Sequence, residues 1–364
     1  MVMKQIEAKI VADSISPQGH RITSMLLTYP RIIHSELMTH RMFSRNSASS
    51  RAIPFEKMVK MVEENPFIPI AWQSKHIGMQ GTEYLDGESE QKLLVNKWLE
   101  ARDLAVQQSK LLNNSNVTKQ LCNRLLEPFM WHTVLVTATE WDNFFELRCP
   151  SYDGFSKNGE KVSFRSKKDV RKHFEELKLD TDLVDNQSFK SWQSINTSQA
   201  EIHIQALAEA MWDAMNESTP KKLQVGEWHI PFGDKIEGLM YSFKDTSGNT
   251  WTLRYNRLFD GNGFAIKVAT ARCARLSYMT FDGEIDYEKD IKLHDSLLES
   301  HHMSPFEHCA RAMSDEEYQF FIKGRVKNFD LSSIPEGNAS IFGWCNNFRG
   351  FIPYRYLIEE LYEN

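Results

Sequence analysis

The sequence predicts an α+β fold, and three stretches predict it. Residues 3–29 are strand-rich, with Thr23, Met25 and Leu27 on one face of a strand that runs into Pro30. Gln91 to Leu112 carries Leu94, Trp98, Ala101, Ala105, Gln108 and Leu112 along one side of a long helix. Gln199 to Met215 reads as a further helix, with Ile204, Leu207, Met211 and Met215 on one side. Strands in one part of the chain and helices in others is the order of an α+β protein rather than of repeated βαβ units.

Between these stretches the remaining elements follow in order. Pro30 to Phe43 reads as a helix through the spacing of Ile33, Leu37 and Met38, and Ser44 to Ser50 as a polar loop. A short helix is expected over 57–64, with irregular chain around Pro66–Pro69. Thr118 is placed to cap a helix that ends before Pro128. Thr133 to Arg148 reads as a buried helix, with strand as the alternative because its start is β-branched. Residues 150–198 are polar and locally basic, and read as an inserted excursion with one helix around Lys168–Leu177 and a solvated face. Tyr241–Lys244 and Thr250–Tyr255 flank Asp-Thr-Ser-Gly-Asn as a hairpin, and Tyr287 to Ser300 is a last helix.

Composition removes several classes. The chain has 364 residues, enough for two domains at ~150 residues each or one large one. With 41% hydrophobic and 25% charged residues it is neither disordered, nor collagen-like, nor a disulfide miniprotein. Its apolar runs, such as Thr133–Ala138, fall far short of the ~20 residues of a membrane span, so no membrane association is expected. The N-terminus carries charges where a signal peptide is apolar, so a cytoplasmic location is expected. The five cysteines are scattered and form no Cys-x-x-Cys pair. The net charge of −6 argues against a general nucleic-acid binder and makes any anion site local.

Three segments can carry chemistry. From Leu37 to Phe55 there is no acidic residue, yet His40, Arg41, Arg45 and Arg51 stand among serines and Asn46, a set suited to a phosphorylated small molecule. The plain alternative is a solvated loop whose arginines pair with distant carboxylates. In His301-His302-Met303-Ser304-Pro305-Phe306-Glu307-His308-Cys309, Ser304 and Glu307 read as a capping box with proline at the first helical position. The spacing of His301, His302, His308 and Cys309 matches no usual zinc pattern, so no metal is expected. The third segment runs from Thr137 to Arg148, where Asn143 and Arg148 interrupt apolar chain, and a lone arginine there is most often an ion-pair partner.

Together the segments resemble the flavin-dependent thymidylate synthases. The family signature is Arg-His-Arg, seven residues, Ser, and a following Arg; His40, Arg41, Ser44, Asn46, Ser49 and Arg51 fit it, with Thr39 and Ser47 standing where Arg and an acidic residue are usual. Arg31 and Glu36 align with an Arg and a Gln just upstream, Asn143 to Arg148 resembles a later Phe-x-x-Leu-Arg segment, and Gln199-Ala200-Glu201-Ile202 resembles the helix that follows it. His302-x-Ser304-Pro305-Phe306-Glu307-His308 and Ala274-Arg275-Leu276-Ser277 resemble segments that precede the signature in common members, most closely in phage-encoded relatives. The order therefore looks circularly permuted. Residues 1–149 with 199–216 resemble the later part of the family fold, 261–312 its N-terminal part, 150–198 an insertion, 217–260 a linker with a hairpin, and 313–364 a C-terminal extension, all in one intertwined catalytic domain.

The resemblance implies a sheet packed with long helices, and reductive methylation of dUMP to dTMP with FAD, NADPH as reductant and methylenetetrahydrofolate as carbon donor. It implies that His40, Arg41, Asn46, Asn143, Ser277, His302, Ser304 and Glu307 bind FAD, and that Glu36, Ser47, Ser49, Arg51, Arg124 and Arg148 bind the nucleotide, with Arg148 and Ser49 at the chemistry. It further implies a homotetramer or other homo-oligomer, in the host cytoplasm for a phage-encoded chain, with dUMP and folate as partners. Thr137 and Thr139 replace an Asn and an Arg that help hold FAD. The departures at Glu36, Thr39 and Ser47 leave two further readings: methylation or hydroxymethylation of another pyrimidine nucleotide, and a non-catalytic relative that binds nucleotide or a partner.

Overall fold

A computed structural model describes residues 5–77, 83–233, 240–244, 250–254, 263–276, 286–321 and 341–362. The architecture is α+β. Its main sheet has strands β1 (Glu7–Ile15), β2 (Arg21–Pro30), β3 (Ser44–Ser47), β4 (Trp131–Ala138) and β5 (Lys221–Lys222), in the order β3-β4-β2-β1-β5. All neighbours are antiparallel except β1 and β5. The helices used below are α1 (Phe55–Glu64), α2 (Glu88–Asn114), α3 (Asp142–Arg148), α4 (Ile202–Glu217), α5 (Gly263–Arg275) and α6 (Tyr287–Glu299).

Strand periodicity decides which helix covers which face. Met25 pairs with Val136 and Leu27 with Val134, and this face packs on Ile204, Leu207, Ala208 and Met211 of α4 and on Phe144 and Phe145 of α3. The alternate residues Leu26 and Leu135 pair with each other and meet Phe232, Cys273 and Leu276 at the end of α5. Every residue of β4 is buried.

That double burial corrects the helix expected over Thr133–Arg148. A strand covered on both faces loses its alternation, and its apolar run then looks like buried helix. The segment is β4 followed by the short α3. The helix expected from Pro30 to Phe43 shrinks to a 3-10 turn, Arg31–Ile33, and one α turn, His34–Met38. Within the expected polar loop Ser44–Ser50 lies strand β3, because β4 offers its free edge there. Thr118 does accept the backbone N–H of Gln120, but its helix stops at Cys122 and becomes a 3-10 helix that runs through Pro128 to Phe129.

The long helix α2 forms where expected and packs on α1 and the 123–129 turn through Trp98, Ala105 and Val106. Ala101, Gln108 and Leu112 of the predicted stripe are exposed instead. The hairpin Met240–Lys244 with Thr250–Arg254 and the helix α6 are as expected. Among the described residues no helix is long and apolar enough to cross a membrane.

Residues 150–198 hold more than one helix. A hairpin, Tyr152–Phe155 with Lys161–Phe164, is followed by helices Lys167–Glu176, Asp182–Asp185 and Phe189–Ile195 around a separate core of Tyr152, Val170, Val184 and Trp192. Several of its basic side chains are answered by acids: Lys168 pairs with Glu217 of α4 at 2.5 Å, Lys161 with Asp153 at 2.8 Å and Arg171 with Asp185 at 3.0 Å.

The C-terminal residues 341–353 close over the start of the chain. Asn347 donates to the Met42 carbonyl and the Ser44 hydroxyl, and the Arg349 N–H donates to Thr139. Gly350 has φ +77°, and a Cβ there would lie 2.9 Å from Ser16 Oγ, so glycine is required on both counts.

Because the 150–198 core is separate, Trp192→Ala is expected to speed amide exchange in that segment by roughly 10²-fold, the scale of a large-to-alanine loss. Amides of β4 keep their protection. Hydrogen exchange read by mass spectrometry checks this, and equal loss in both regions contradicts two separate cores.

Candidate functional site

The site grows from the turn between His34–Met38 and β3. The Thr39 hydroxyl donates to the Glu36 carbonyl at 2.7 Å and the His40 N–H to the Leu37 carbonyl at 3.2 Å, which sets His40 against the edge of Phe144. Arg45, reaching back from β3, donates to the carbonyls of Met38 at 3.1 Å and His40 at 3.2 Å and clamps the turn. Arg148 ends α3, where a cation suits the helix dipole, and its Nε–H donates to His40 Nε2 at 3.2 Å. His40 therefore accepts at Nε2 and is neutral. Burial, then Arg148, then Arg45 hold its pKa down to about 4.

Arg148 and Glu36 line one open cavity of about 890 Å³. Its wall combines the Ser35–Thr39 turn, the end of α3 and the first residues before α4 with Ser151, Ser163 and Arg165 of the 150–198 excursion. Ser47, Ser49, Arg51 and Arg124 do not line it. They gather instead where two turns are stitched together: Ser50 donates to Glu127 at 2.5 Å, and Asn123 donates to the carbonyls of Ser50 and Ile53 at 2.7 and 3.0 Å. Arg51 and Arg124 are exposed there, and Ser49 is half-buried.

A third group surrounds β3. Asn46 is buried and donates to the Cys273 carbonyl at the end of α5 at 3.3 Å. A 3-10 helix, Ser304–Glu307, packs beside β3. Its residues form no capping box, which corrects that expectation: Glu307 accepts from Arg355 at 2.5 Å and its charge acts on Arg45, while Ser304 is exposed and caps nothing. The capping box of this region is Ser314 with Glu317. His302 is exposed and bonded to the Ser300 hydroxyl, Asn143 and Arg41 are exposed, and Ser277 lies outside the described residues. Among the described residues no three His, Cys, Asp or Glu side chains are grouped to hold a metal ion.

Beside β3 two donor side chains are open to solvent. Arg41 and the Ser304 hydroxyl have no hydrogen-bond partner among the described residues, which leaves a cation and an O–H for a diphosphate. Arg45 belongs to the cationic stretch read in the sequence but not to the residues that the family signature marks; it clamps His40, and the Glu307 charge acts on it. Strand alternation is the signal that finds it, since Ser44 and Asn46 are buried and Arg45 stands on the opposite face. Thr137 and Thr139 are already occupied, Thr139 by Arg349 and Thr137 in a buried polar line. In that line Ser14, His229, Ser24, Thr137 and His308 are joined by hydrogen bonds of 3.0, 2.8, 2.6 and 2.8 Å, and His308 Nε2 is buried without a partner.

No protein-family model matches this sequence, and no curated protein does. Two solved structures of a UMP/dUMP methylase, PolB from Streptomyces cacaoi, are similar to the chain. The one bound with 5-Br UMP is 15% identical and the one bound with 5-Br dUMP 12%, each with a TM-score of 0.39, covering 59% of this chain and 90% and 92% of theirs.

His229 and His308 are completely buried, and burial holds both near 3. Their folded pKa lies below the ordinary value of about 6.5, so the stability they lend is whole above that pH and is lost as pH falls toward 3. Each steepens the loss by up to about 1.4 kcal/mol per pH unit. Urea midpoints measured from pH 7 to 4.5 are expected to fall less steeply for His308→Gln than for the parent protein. Parallel lines contradict a neutral buried His308.

Proposed function

We propose that this protein is an FAD-dependent methylase that converts dUMP to dTMP, with methylenetetrahydrofolate as carbon donor and NADPH as reductant. The observation that carries the reading is a convergence in space. The 40–51 and 137–148 segments resemble one part of the flavin-dependent family, and the 274–277 and 302–308 segments another part. Thr137 meets His308, and Asn46 reaches the Cys273 carbonyl just before 274–277. Segments more than 170 residues apart in the chain are thus joined by hydrogen bonds, which supports a permuted member.

Bound FAD, once reduced, supplies the hydride that no side chain can. Arg148 binds the pyrimidine and stabilises the negative charge that develops on it, an effect strengthened in a half-buried cavity. Glu36, in the same cavity, accepts an N–H of the base. Ser49 and Arg51, helped by Arg124, hold the phosphate. Because they stand outside the cavity that Arg148 lines, one nucleotide meets both groups only where two copies come together, in keeping with a homo-oligomer.

A second reading has its own observation. Glu36 stands where the family has Gln and only accepts hydrogen bonds, which suits a base with an added N–H such as cytosine. Product mass after incubation with dUMP or dCMP, folate and NADPH separates the two.

The purified protein is expected to be yellow or to take up FAD, with absorbance near that of bound flavin; failure to reconstitute contradicts the enzyme reading. Arg148→Ala is expected to lower turnover at saturating dUMP by ~10²-fold or more, the scale for one preorganised donor. Arg51→Ala is expected chiefly to raise the KM for dUMP, because a phosphate contact is nearly equal in ground and transition states. Steady-state kinetics with flavin absorbance as control checks both, and the same pattern in both variants contradicts this division of labour.

A further inference from the structure

The 150–198 excursion does more than cover α4. It supplies one wall of the cavity that holds Arg148, and Arg165 is its cation there. The Arg165 guanidinium lies over the Trp212 ring, 4.9 Å from the centroid. Stacking fixes the guanidinium plane and leaves its N–H edges free to donate.

The acids that surround Arg165 are each committed elsewhere. Asp169 accepts from Trp212 Nε1 at 2.7 Å, Glu209 from the Lys167 N–H at 2.7 Å, and Asp213 from the Ser166 hydroxyl. Glu201, on the cavity wall, accepts the N–H groups of His203 and Ile204 at the start of α4. Among the described residues neither Arg165 nor Arg148 has a carboxylate within ion-pair distance, and Arg148 touches only neutral His40. Two guanidinium groups without ion-pair partners thus line one cavity with the Ser151 and Ser163 hydroxyls, which lie 2.7 Å apart, and with the carboxylates of Glu36, Glu146 and Glu201. At about 890 Å³ the cavity is large enough for a nucleotide.

We propose that Arg165 is a specificity-determining residue: it binds the phosphate of a nucleoside monophosphate whose base lies against Arg148. This rests on the nucleotide reading above and deepens it. The excursion becomes a recognition element, and the cavity selects a phosphorylated ligand over the free nucleoside. A phosphate accepts two guanidinium groups readily, so Arg165 acts alongside Arg51 of a second copy.

Calorimetric titration of the FAD-supplied protein with dUMP and with deoxyuridine tests this. Arg165→Ala is expected to weaken dUMP binding roughly 10- to 100-fold, the scale of one charge-assisted contact, and to leave deoxyuridine binding unchanged. Arg165→Lys, which keeps the charge and loses the fork, is expected to recover part of the loss. Unchanged dUMP affinity in Arg165→Ala overturns the proposal. So does an equal loss for dUMP and deoxyuridine with a lowered melting temperature, which marks Arg165 as structural. A parent protein that binds neither compound overturns the nucleotide reading itself, and this proposal with it.

Discussion

Burying all eight residues of β4 removes its backbone from water, so the peptide groups that face its two edges need partners in neighbouring strands. β2 answers one edge from Thr23 to Pro30, and β3 answers only four residues of the other. That short edge is where chemistry-bearing residues collect. The 3-10 helix 304–307 packs beside it, Asn347 bonds to Ser44, and Asn46 reaches α5. An exposed strand edge is an aggregation hazard unless it is covered. Here distant parts of the chain supply the cover, and in doing so bring their polar side chains to one place.

The polar groups inside this frame are kept neutral, and the cations are kept at its margin. His40, His229 and His308 are all held below their ordinary range, with burial as the first cause in each. A neutral imidazole both donates and accepts, so it completes a buried hydrogen-bond line at no charge cost. Arg45 and Arg148 flank His40 and reinforce its neutrality. The result is an acidic protein with local cations, Arg148 and Arg165 in the cavity and Arg51 and Arg124 outside it.

The helices α2, α4 and α6 were legible in the sequence because each keeps a solvent face, which preserves its period. β4 was not, because burial on both faces erased its period, and β3 was not, because four polar residues carry no strand signal without the edge they complete. Among site residues the signature motif pointed to His40, Arg41, Ser49 and Arg51. The signature left out Arg45, and Arg165 was not singled out at all, for different reasons. Arg45 matters through two backbone carbonyls and a carboxylate 262 positions away, and Arg165 through an indole on another helix. Neither relation has a local sequence pattern. Ser304 and Glu307 show the reverse case: the local pattern of a cap is present, but Arg355 takes the carboxylate.

Bringing distant segments of a chain together costs little extra in length alone. Loop-closure entropy grows only with the logarithm of length, about 0.6 kcal/mol for each doubling. Asn46 meets Cys273 across 227 positions and Thr137 meets His308 across 171, distances that a shorter loop improves by only a few doublings. The buried contacts formed on closure are the same whichever segment comes first. What the order does change is the position of the chain's ends and joins. Here the C-terminal stretch crosses β3 at Ser44, and Gly350 packs against the β1–β2 turn at Ser16. The C-terminal stretch is thereby part of the wall that β3 presents.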